Sequence, residues 1–326
     1  MSEINYNANS HSYVNEYKGN LLEFMFARTL AQNYGLEVDF LKRIDPYLLK
    51  TLTKYEKELR TKSPELLRKL PLISEQIFNK IRKEVPEGIN MIEVVGKKAQ
   101  YSKYNEADVI LKGPETLTPI SLKLCKDNSY VNTKSGGVKS FFTKYFSKFN
   151  AIAKHQKDLN LQISLAFEKM AFELHDYYDL PYSGGFSKEF LQKSGSELPG
   201  QINHDLKKIV HKYYHQCIEQ FYHLFVILSE QNDSLFSNSL YPLLGLGNVE
   251  IWQVAVLYKK DYLISNIHLR KHRADVSVPI KIGPLKPEKS YFSLQIGPDI
   301  LQIRMKPMNK YTVEGLKVNC SVKFGC

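Results

Sequence analysis

Two charged residues interrupt two neighbouring apolar stretches of the sequence, and they constrain the fold more than any other feature. Asp108 lies within the β-branched stretch 107–112, and Lys123 lies in the middle of 119–125. Each stretch predicts a strand, and the turn-forming Gly113-Pro114-Glu115 between them predicts a hairpin. Because an unpaired buried charge costs several kcal/mol, the two charges must be compensated by each other or by a bound ion.

The alternation of side chains along a strand adds two more polar groups to this patch. Residues two apart share a face, so we expect Glu106 beside Asp108 and Ser121 beside Lys123. If the two strands pair, all four side chains converge. The simplest alternative is a plain cross-strand ion pair between Asp108 and Lys123 that has no further role.

The remaining hydrophobic pattern predicts helices on both sides of these strands. Residues 13–34 carry apolar side chains at helical spacing and end at Gly35, which is a typical helix stop. Further helices are predicted at 46–60, 64–84, 138–155, 159–180 and 201–229, and further strands at 91–96, 251–257, 262–267, 292–296 and 301–305.

The order of these elements predicts an α/β chain, more fully a mixed α+β fold with a central mixed sheet flanked by helices. We expect three segments. Residues 1–158 form the first part of the core, 159–248 form a helical insertion, and 249–326 supply the remaining core strands and a β-rich C-terminal part. The stretch 181–200, rich in Ser, Gly and Pro, is expected at the edge of the insertion.

Asp108 followed by Ser121-Leu122-Lys123 on the next strand resembles the PD-(D/E)XK nuclease superfamily, and in particular type II restriction endonucleases. The resemblance covers mainly positions 14–150. It implies a restriction-endonuclease-like fold, with one Asp at or in a strand and an acidic-x-Lys tripeptide on the next. Ser121 departs from that pattern, because most members carry Asp or Glu at this position.

The opening helix supplies a replacement for the missing carboxylate. Lys18-Gly19-Asn20-Leu21-Leu22-Glu23 looks like the first core helix of the same superfamily, which often presents a Glu to the metal site. Glu23 is therefore the candidate second ligand. The alternative is an exposed Glu on the polar side of an amphipathic helix.

The resemblance implies hydrolysis of DNA phosphodiester bonds with Mg²⁺, since carboxylate oxygens hold this cation. Asp108 would be the central ligand, with Glu23 or Glu106 as auxiliary. Lys123 would orient or acidify the attacking water, and Ser121 would support the site by hydrogen bonding.

DNA contacts are expected in three stretches. Small polar residues, glycines and lysines after the second strand suit phosphate binding ahead of a helix, although a solvated connection explains them as well. Arginine, lysine and asparagine in two later stretches are candidates for backbone or base-edge contacts. The candidates are Lys126, Asn128, Asn132, Lys134, Ser135, Lys139, Arg270, Arg273, Arg304, Lys306 and Asn309.

Composition favours a polyanionic partner. Lys and Arg outnumber Asp and Glu by 45 to 34, a net charge of +11. The four cysteines are scattered without a CxxC pair and are expected to be free thiols. The polar N-terminus and the lack of a long apolar stretch predict a cytoplasmic protein with no membrane partner.

Other enzyme classes lack their sequence signatures. No Walker loop, dinucleotide fingerprint or nucleophile elbow is present, and Lys212 and Tyr213 break the HExxH spacing between His211 and His215. A type II restriction endonuclease, acting as a homodimer on a palindromic site of double-stranded DNA, is the preferred interpretation. The alternatives are a repair or junction-resolving nuclease and a non-catalytic basic nucleic-acid-binding protein.

Overall fold

The computed structural model describes residues 4–95, 104, 106–246, 250–271 and 279–325, with side chains from residue 14 onward. The helices are α1 Ile4–Asn33, α2 Glu37–Lys42, α3 Pro46–Lys62, α4 Pro64–Ile81, α5 Phe141–Tyr145, α6 Ile152–Asp176, α7 Lys188–Ser194, α8 His204–Gln231 and α9 Asp233–Leu240. The strands are β1 Met91–Val94, β2 Val109–Lys112, β3 Leu117–Lys126, β4 Val131–Gly137, β5 Trp252–Tyr258, β6 Ile264–Arg270, β7 Ile280–Ile282, β8 Tyr291–Ile296, β9 Asp299–Pro307 and β10 Leu316–Lys323. The chain is mixed α+β, as expected.

The chain forms two compact units. The first contains 1–129, 246–275 and residue 326, and the second contains 130–245 and 276–325. This division differs from the expected three segments, because the β-rich C-terminal strands belong with the helical insertion and only 246–275 returns to the first unit.

The first unit is built on a five-stranded mixed sheet in the order β1-β2-β3-β5-β6. The strands β1, β2 and β3 form an antiparallel meander, and β5 pairs with β3 in parallel. A parallel neighbour requires a crossover connection, and here residues 130–245 of the second unit lie between β3 and β5 in the sequence. The expected β2–β3 hairpin is confirmed.

Helix α1 anchors the first unit through its apolar stripe. Leu21, Leu22, Phe26 and Leu30 are all buried in one core cluster with residues of α3, α4 and the sheet. The helix ends where predicted, because Gly35 adopts φ 71°, a left-handed conformation that glycine accepts without strain.

The second unit has an antiparallel sheet in the order β4-β10-β9-β8-β7. One face of this sheet packs on α8, where the ring of Phe225 lies 5.2 Å from that of Phe292. Phe225 also contacts Phe142 and Phe221, and all four rings are buried. This aromatic cluster is the core of the second unit.

The predicted helix 138–155 is wrong, because the chain turns in its middle. A 3₁₀ turn leads into the short α5, and α6 begins after Ala151, which has φ 60°. The buried Gln156 side chain stabilises the turn. It accepts a hydrogen bond from the Phe142 N–H (2.8 Å) and donates one to the Val138 carbonyl (3.0 Å).

The loop conformation expected after β3 is also wrong in its second half. Residues 131–137 form β4, which pairs with β10. Within the Ser- and Gly-rich stretch 181–200, the short helix α7 forms, capped by Ser187. Cys125, Cys217 and Cys320 are free thiols, as expected.

Removal of a ring from the aromatic cluster should destabilise the second unit. Phe225→Ala is expected to lower the free energy of unfolding by about 3–5 kcal/mol, because it leaves a cavity in a packed core. Phe172→Ala is the matched control, since that ring is 57% exposed on α6, and it should change the stability by no more than about 0.5 kcal/mol. Urea unfolding followed by far-UV circular dichroism measures both, and equal losses would contradict the assignment of the core.

Candidate functional site

Asp108 lies one residue before β2 and is held by backbone hydrogen bonds on both sides. Its N–H donates to the Ile120 carbonyl of β3 (2.8 Å), and its carbonyl accepts from the Val95 N–H after β1 (3.0 Å). The backbone at Asp108 thus bridges the neighbours of β2, which fixes the direction of its side chain.

The Asp108 carboxylate collects three donors from β3. Its Oδ2 atom accepts hydrogen bonds from the Leu122 N–H (2.6 Å), the Ser121 hydroxyl (3.3 Å) and the Lys123 ammonium (3.4 Å). Ser121 is fully buried, and the side chains of Asp108 and Lys123 are 19% and 25% exposed. The structure therefore brings together these three residues, as the sequence predicts.

Glu23 joins this group from α1. Burial and, to a smaller extent, the negative charge of Asp108 raise the pKa of its carboxyl to about 8, although the charge of Lys123 opposes the shift. Glu23 is partly buried rather than on an exposed helix face. The exposed-Glu alternative is therefore wrong, because Glu23 lies within electrostatic reach of both Asp108 and Lys123.

Lys123 stays cationic at this position. Burial lowers the pKa of its ammonium group, but the charges of Asp108 and Glu23 outweigh that effect, so the pKa is raised above 10.5. Two carboxyl groups thus share one ammonium. An additional cation would be required to keep both carboxyl groups ionised at neutral pH.

Glu106 does not share a strand face with Asp108, contrary to the expectation. The strand β2 begins at Val109, and Glu106 lies in a turn that is closed by the hydrogen bond from the Ala107 N–H to the Tyr104 carbonyl (2.8 Å). Strand alternation does not apply there. Glu106 still contributes to the site, because its charge raises the pKa of Lys123.

The candidate metal ligands Asp108, Glu23 and Glu106 do not form a three-ligand cluster. In the described part of the chain, no group of three or more His, Cys, Asp or Glu side chains is arranged to hold a metal ion. Asp108 and Glu23 are the pair that the structure brings close. Two carboxylates suit Mg²⁺, which commonly keeps several waters and takes one or two protein carboxylates together with substrate phosphates.

A buried lysine beside the site was not among the candidates. Lys18 is 7% exposed and donates a hydrogen bond to the Tyr258 hydroxyl (3.1 Å). Burial lowers its pKa, and its charge also reaches Cys125, whose own pKa burial raises to about 12. The sequence carried a signal, since Lys18 lies three and four residues before Leu21 and Leu22 and so falls on the apolar stripe of α1.

The candidate DNA contacts of the first unit lie near the ends of strands. Lys126 ends β3 and Asn128 follows it in a turn, and both are exposed. Arg270 ends β6 and donates to the Gln253 side chain (2.9 Å). Arg273 lies outside the described residues.

The candidate DNA contacts of the second unit fall into two groups. Lys139 lies in the 3₁₀ turn and pairs with Glu314, and Asn309 is exposed after β9. The others lie on the second sheet, with Asn132, Lys134 and Ser135 on β4 and Arg304 and Lys306 on β9. In this sheet β10 lies between β4 and β9 and pairs with both. Asn319 is the cross-strand partner of both Ser135 and Arg304.

Comparison of the chain with protein-family models, with curated proteins and with solved structures found no match. Among the described residues, no helix combines the length and the apolar character needed to cross a membrane.

The protonation of Glu23 should make stability depend on pH. Its carboxyl has a pKa of about 8 in the folded chain against the ordinary value of 4.5 for an unperturbed glutamate. The folded state therefore retains a proton that the unfolded state has lost, and this contribution to stability falls as the pH rises from about 4.5 to about 8. Glu23→Gln replaces the titrating carboxyl with a neutral amide, so with EDTA present the variant should gain stability relative to the wild type as the pH is raised from 5 to 8.

Urea unfolding at the two pH values measures this difference. The control is Glu75→Gln, which changes an exposed carboxyl on α4 and should leave the pH dependence of the wild type unchanged. An identical pH dependence for Glu23→Gln and the wild type would contradict a raised pKa at Glu23.

Proposed function

We propose that this chain is a Mg²⁺-dependent endonuclease that hydrolyses phosphodiester bonds in double-stranded DNA, of the type II restriction class. The observation that carries the proposal is the convergence of Asp108, Lys123 and Glu23 from three separate elements. It matches the arrangement implied by the resemblance to the PD-(D/E)XK superfamily, with Glu23 in place of the acidic residue that Ser121 replaces.

Asp108 and Glu23 would hold the cation. The closeness of these two carboxyl groups favours a bound cation, because without one Glu23 stays protonated beside the charged Asp108. When bound, Mg²⁺ would polarise the scissile phosphate and offset the charge on the departing 3′ oxygen. Ser121 keeps the Asp108 carboxylate in place through its hydroxyl.

Lys123 would act on the attacking water and on the phosphate. Its ammonium is fixed against Asp108 at 3.4 Å and stays protonated. From this position it would orient the water through an N–H donor and stabilise the added negative charge of the transition state. Lys123 therefore supports the chemistry as a fixed cation.

The non-catalytic alternative treats Asp108 and Lys123 as a structural ion pair. The same sheet contains a pair of that kind between Glu93 of β1 and Lys112 of β2, at 3.5 Å. The Asp108–Lys123 pair differs, because a third ionisable group, Glu23, is packed beside it and its pKa is shifted. A carboxyl group with a shifted pKa beside a fixed cation favours a functional site.

The proposal extends to the partners and the location. The net charge of +11 favours a polyanionic substrate. A palindromic recognition site would be matched by a homodimer with two-fold symmetry. A substrate of genomic or phage DNA is consistent with a cytoplasmic enzyme.

Substitutions in the Asp108–Lys123 and Glu93–Lys112 ion pairs should distinguish a catalytic pair from a structural one. With Mg²⁺ and supercoiled plasmid, Asp108→Ala and Lys123→Ala should each lower the cleavage rate at least about a hundredfold, since each removes a group that acts on the reacting phosphate. Lys112→Ala breaks the neighbouring ion pair and should leave the rate within about threefold of the wild type.

Binding of the same DNA in EDTA completes this test. Lys123→Ala should bind it as the wild type does, because the loss is in the chemical step. Appreciable cleavage by Lys123→Ala would overturn the assignment, and DNA binding without cleavage by the wild type would support the non-catalytic alternative.

A further inference from the structure

The sheet of the second unit has one packed face and one open face. Side chains such as Leu301, Ile303, Val318 and Val322 are fully buried, and Phe292 contacts Phe225 of α8. The alternate residues of the same strands point the other way and are exposed or half-buried, except Gln302, which is buried. An antiparallel sheet with one face on the core and the other in solvent gives this alternation.

The strand register places one continuous set of side chains on this open face. Lys306 lies opposite Lys317, and Arg304 lies between Tyr291 of β8 and Asn319 of β10. Ser135 of β4 extends the set, since its hydroxyl donates to the Asn319 side chain (2.9 Å). We define the open face as Asn132, Ser135, Lys281, Tyr291, Ser293, Gln295, Ile300, Gln302, Arg304, Lys306, Lys317, Asn319, Ser321 and Lys323.

The open face is uniformly basic. Its charged members are Lys281, Arg304, Lys306, Lys317 and Lys323, and none of its positions carries Asp or Glu. Across the ranges that the structure describes, none of these five forms an ion pair. Like charges on adjacent strands repel each other, which a bound polyanion would relieve.

Arg304 and Lys306 lie at the centre of the open face, and their contacts fix their surroundings. The Arg304 guanidinium lies over the Tyr291 ring, 5.2 Å from its centroid. Burial lowers the pKa of Lys306, and the charges of Lys317 and Arg304 lower it further. Arg304 and Lys306 also line a cleft of about 400 Å³, whose lining includes Lys289, His211 and Glu288.

The neutral members of the open face add hydrogen-bonding groups between the cations. Gln302, Asn319 and Gln295 carry amides, which donate and accept hydrogen bonds, and Ser293 and Ser321 carry hydroxyls. Cations with interspersed amides are the groups that contact phosphates and base edges. The strands bring these groups together from positions about 190 residues apart in the chain, between Asn132 and Lys323.

We propose that the open face binds double-stranded DNA through its phosphate backbone, with Arg304, Lys306 and Lys317 as the central phosphate contacts. This inference rests on the proposed function, because it names the surface that holds the substrate. It adds Lys317, Lys323, Gln302 and Asn319 to the contacts that the sequence indicates.

The test uses the full-length chain with the central cations removed together. Arg304→Ala, Lys306→Ala and Lys317→Ala are combined in one variant. The control combines Lys154→Ala, Lys157→Ala and Lys169→Ala, which removes the same charge from exposed positions of α6 in the same unit. Fluorescence anisotropy with a labelled 30-base-pair duplex in EDTA gives Kd at several salt concentrations.

The open-face variant should bind the duplex at least about tenfold more weakly than the wild type, and the control should stay within about threefold. The slope of log K against log salt should fall by about 0.9 for each lost phosphate contact, hence by roughly 3 in total. A merely structural effect would not change this slope. The conservative variant Arg304→Lys, Lys306→Arg, Lys317→Arg keeps the charge and should restore most of the binding.

Three outcomes decide the inference. Unchanged affinity and salt slope in the open-face variant, with Mg²⁺-dependent cleavage intact, would overturn it while leaving the proposed function standing. If the open-face variant lost affinity for single-stranded DNA of the same length but not for the duplex, the assignment to duplex DNA would be overturned. Reduced duplex binding with a lower salt slope would support the inference, even if the wild type proved unable to cleave DNA.

Discussion

The candidate site depends on the electrostatic balance among three ionisable side chains, Asp108, Lys123 and Glu23, in a largely buried position. Asp108 receives three donors on a single oxygen, and one of these is the ammonium of Lys123. Glu23 adds a second carboxyl group, and its burial together with the charge of Asp108 raises its pKa to about 8, so that it retains its proton at neutral pH. Such an arrangement costs stability in the absence of a cation, and a divalent cation would relieve it.

The first unit maintains this balance through elements distant in sequence. The register of β2 and β3 sets Asp108 against Ser121 and Lys123, and the apolar stripe of α1 turns Glu23 toward them. Residues 130–245 of the second unit are inserted between β3 and β5 in the sequence, and the two strands still pair in parallel, with Lys123 opposite Ala255. The chain thereby combines a site of converging ionisable groups in one unit with a separate basic sheet face in the other.

The sequence predicted those features that depend on local pattern. The hairpin of β2 and β3, the helix carrying Glu23 and the pairing of Asp108 with Lys123 follow from alternation and helical spacing. Residues 131–137 look like a polar loop, because their strand forms only by pairing with β10, nearly 190 residues later. The grouping of Ser135 with Arg304 depends on the same long-range register, which no local pattern encodes.

Digestion of unmethylated phage DNA by the purified wild-type protein tests the central claim most directly. The account predicts discrete fragments with Mg²⁺ and intact DNA with EDTA, because cleavage needs both the cation and a specific sequence. Intact DNA under both conditions, with binding of the duplex preserved, would contradict the nuclease and leave Asp108 and Lys123 as a structural ion pair in a DNA-binding protein.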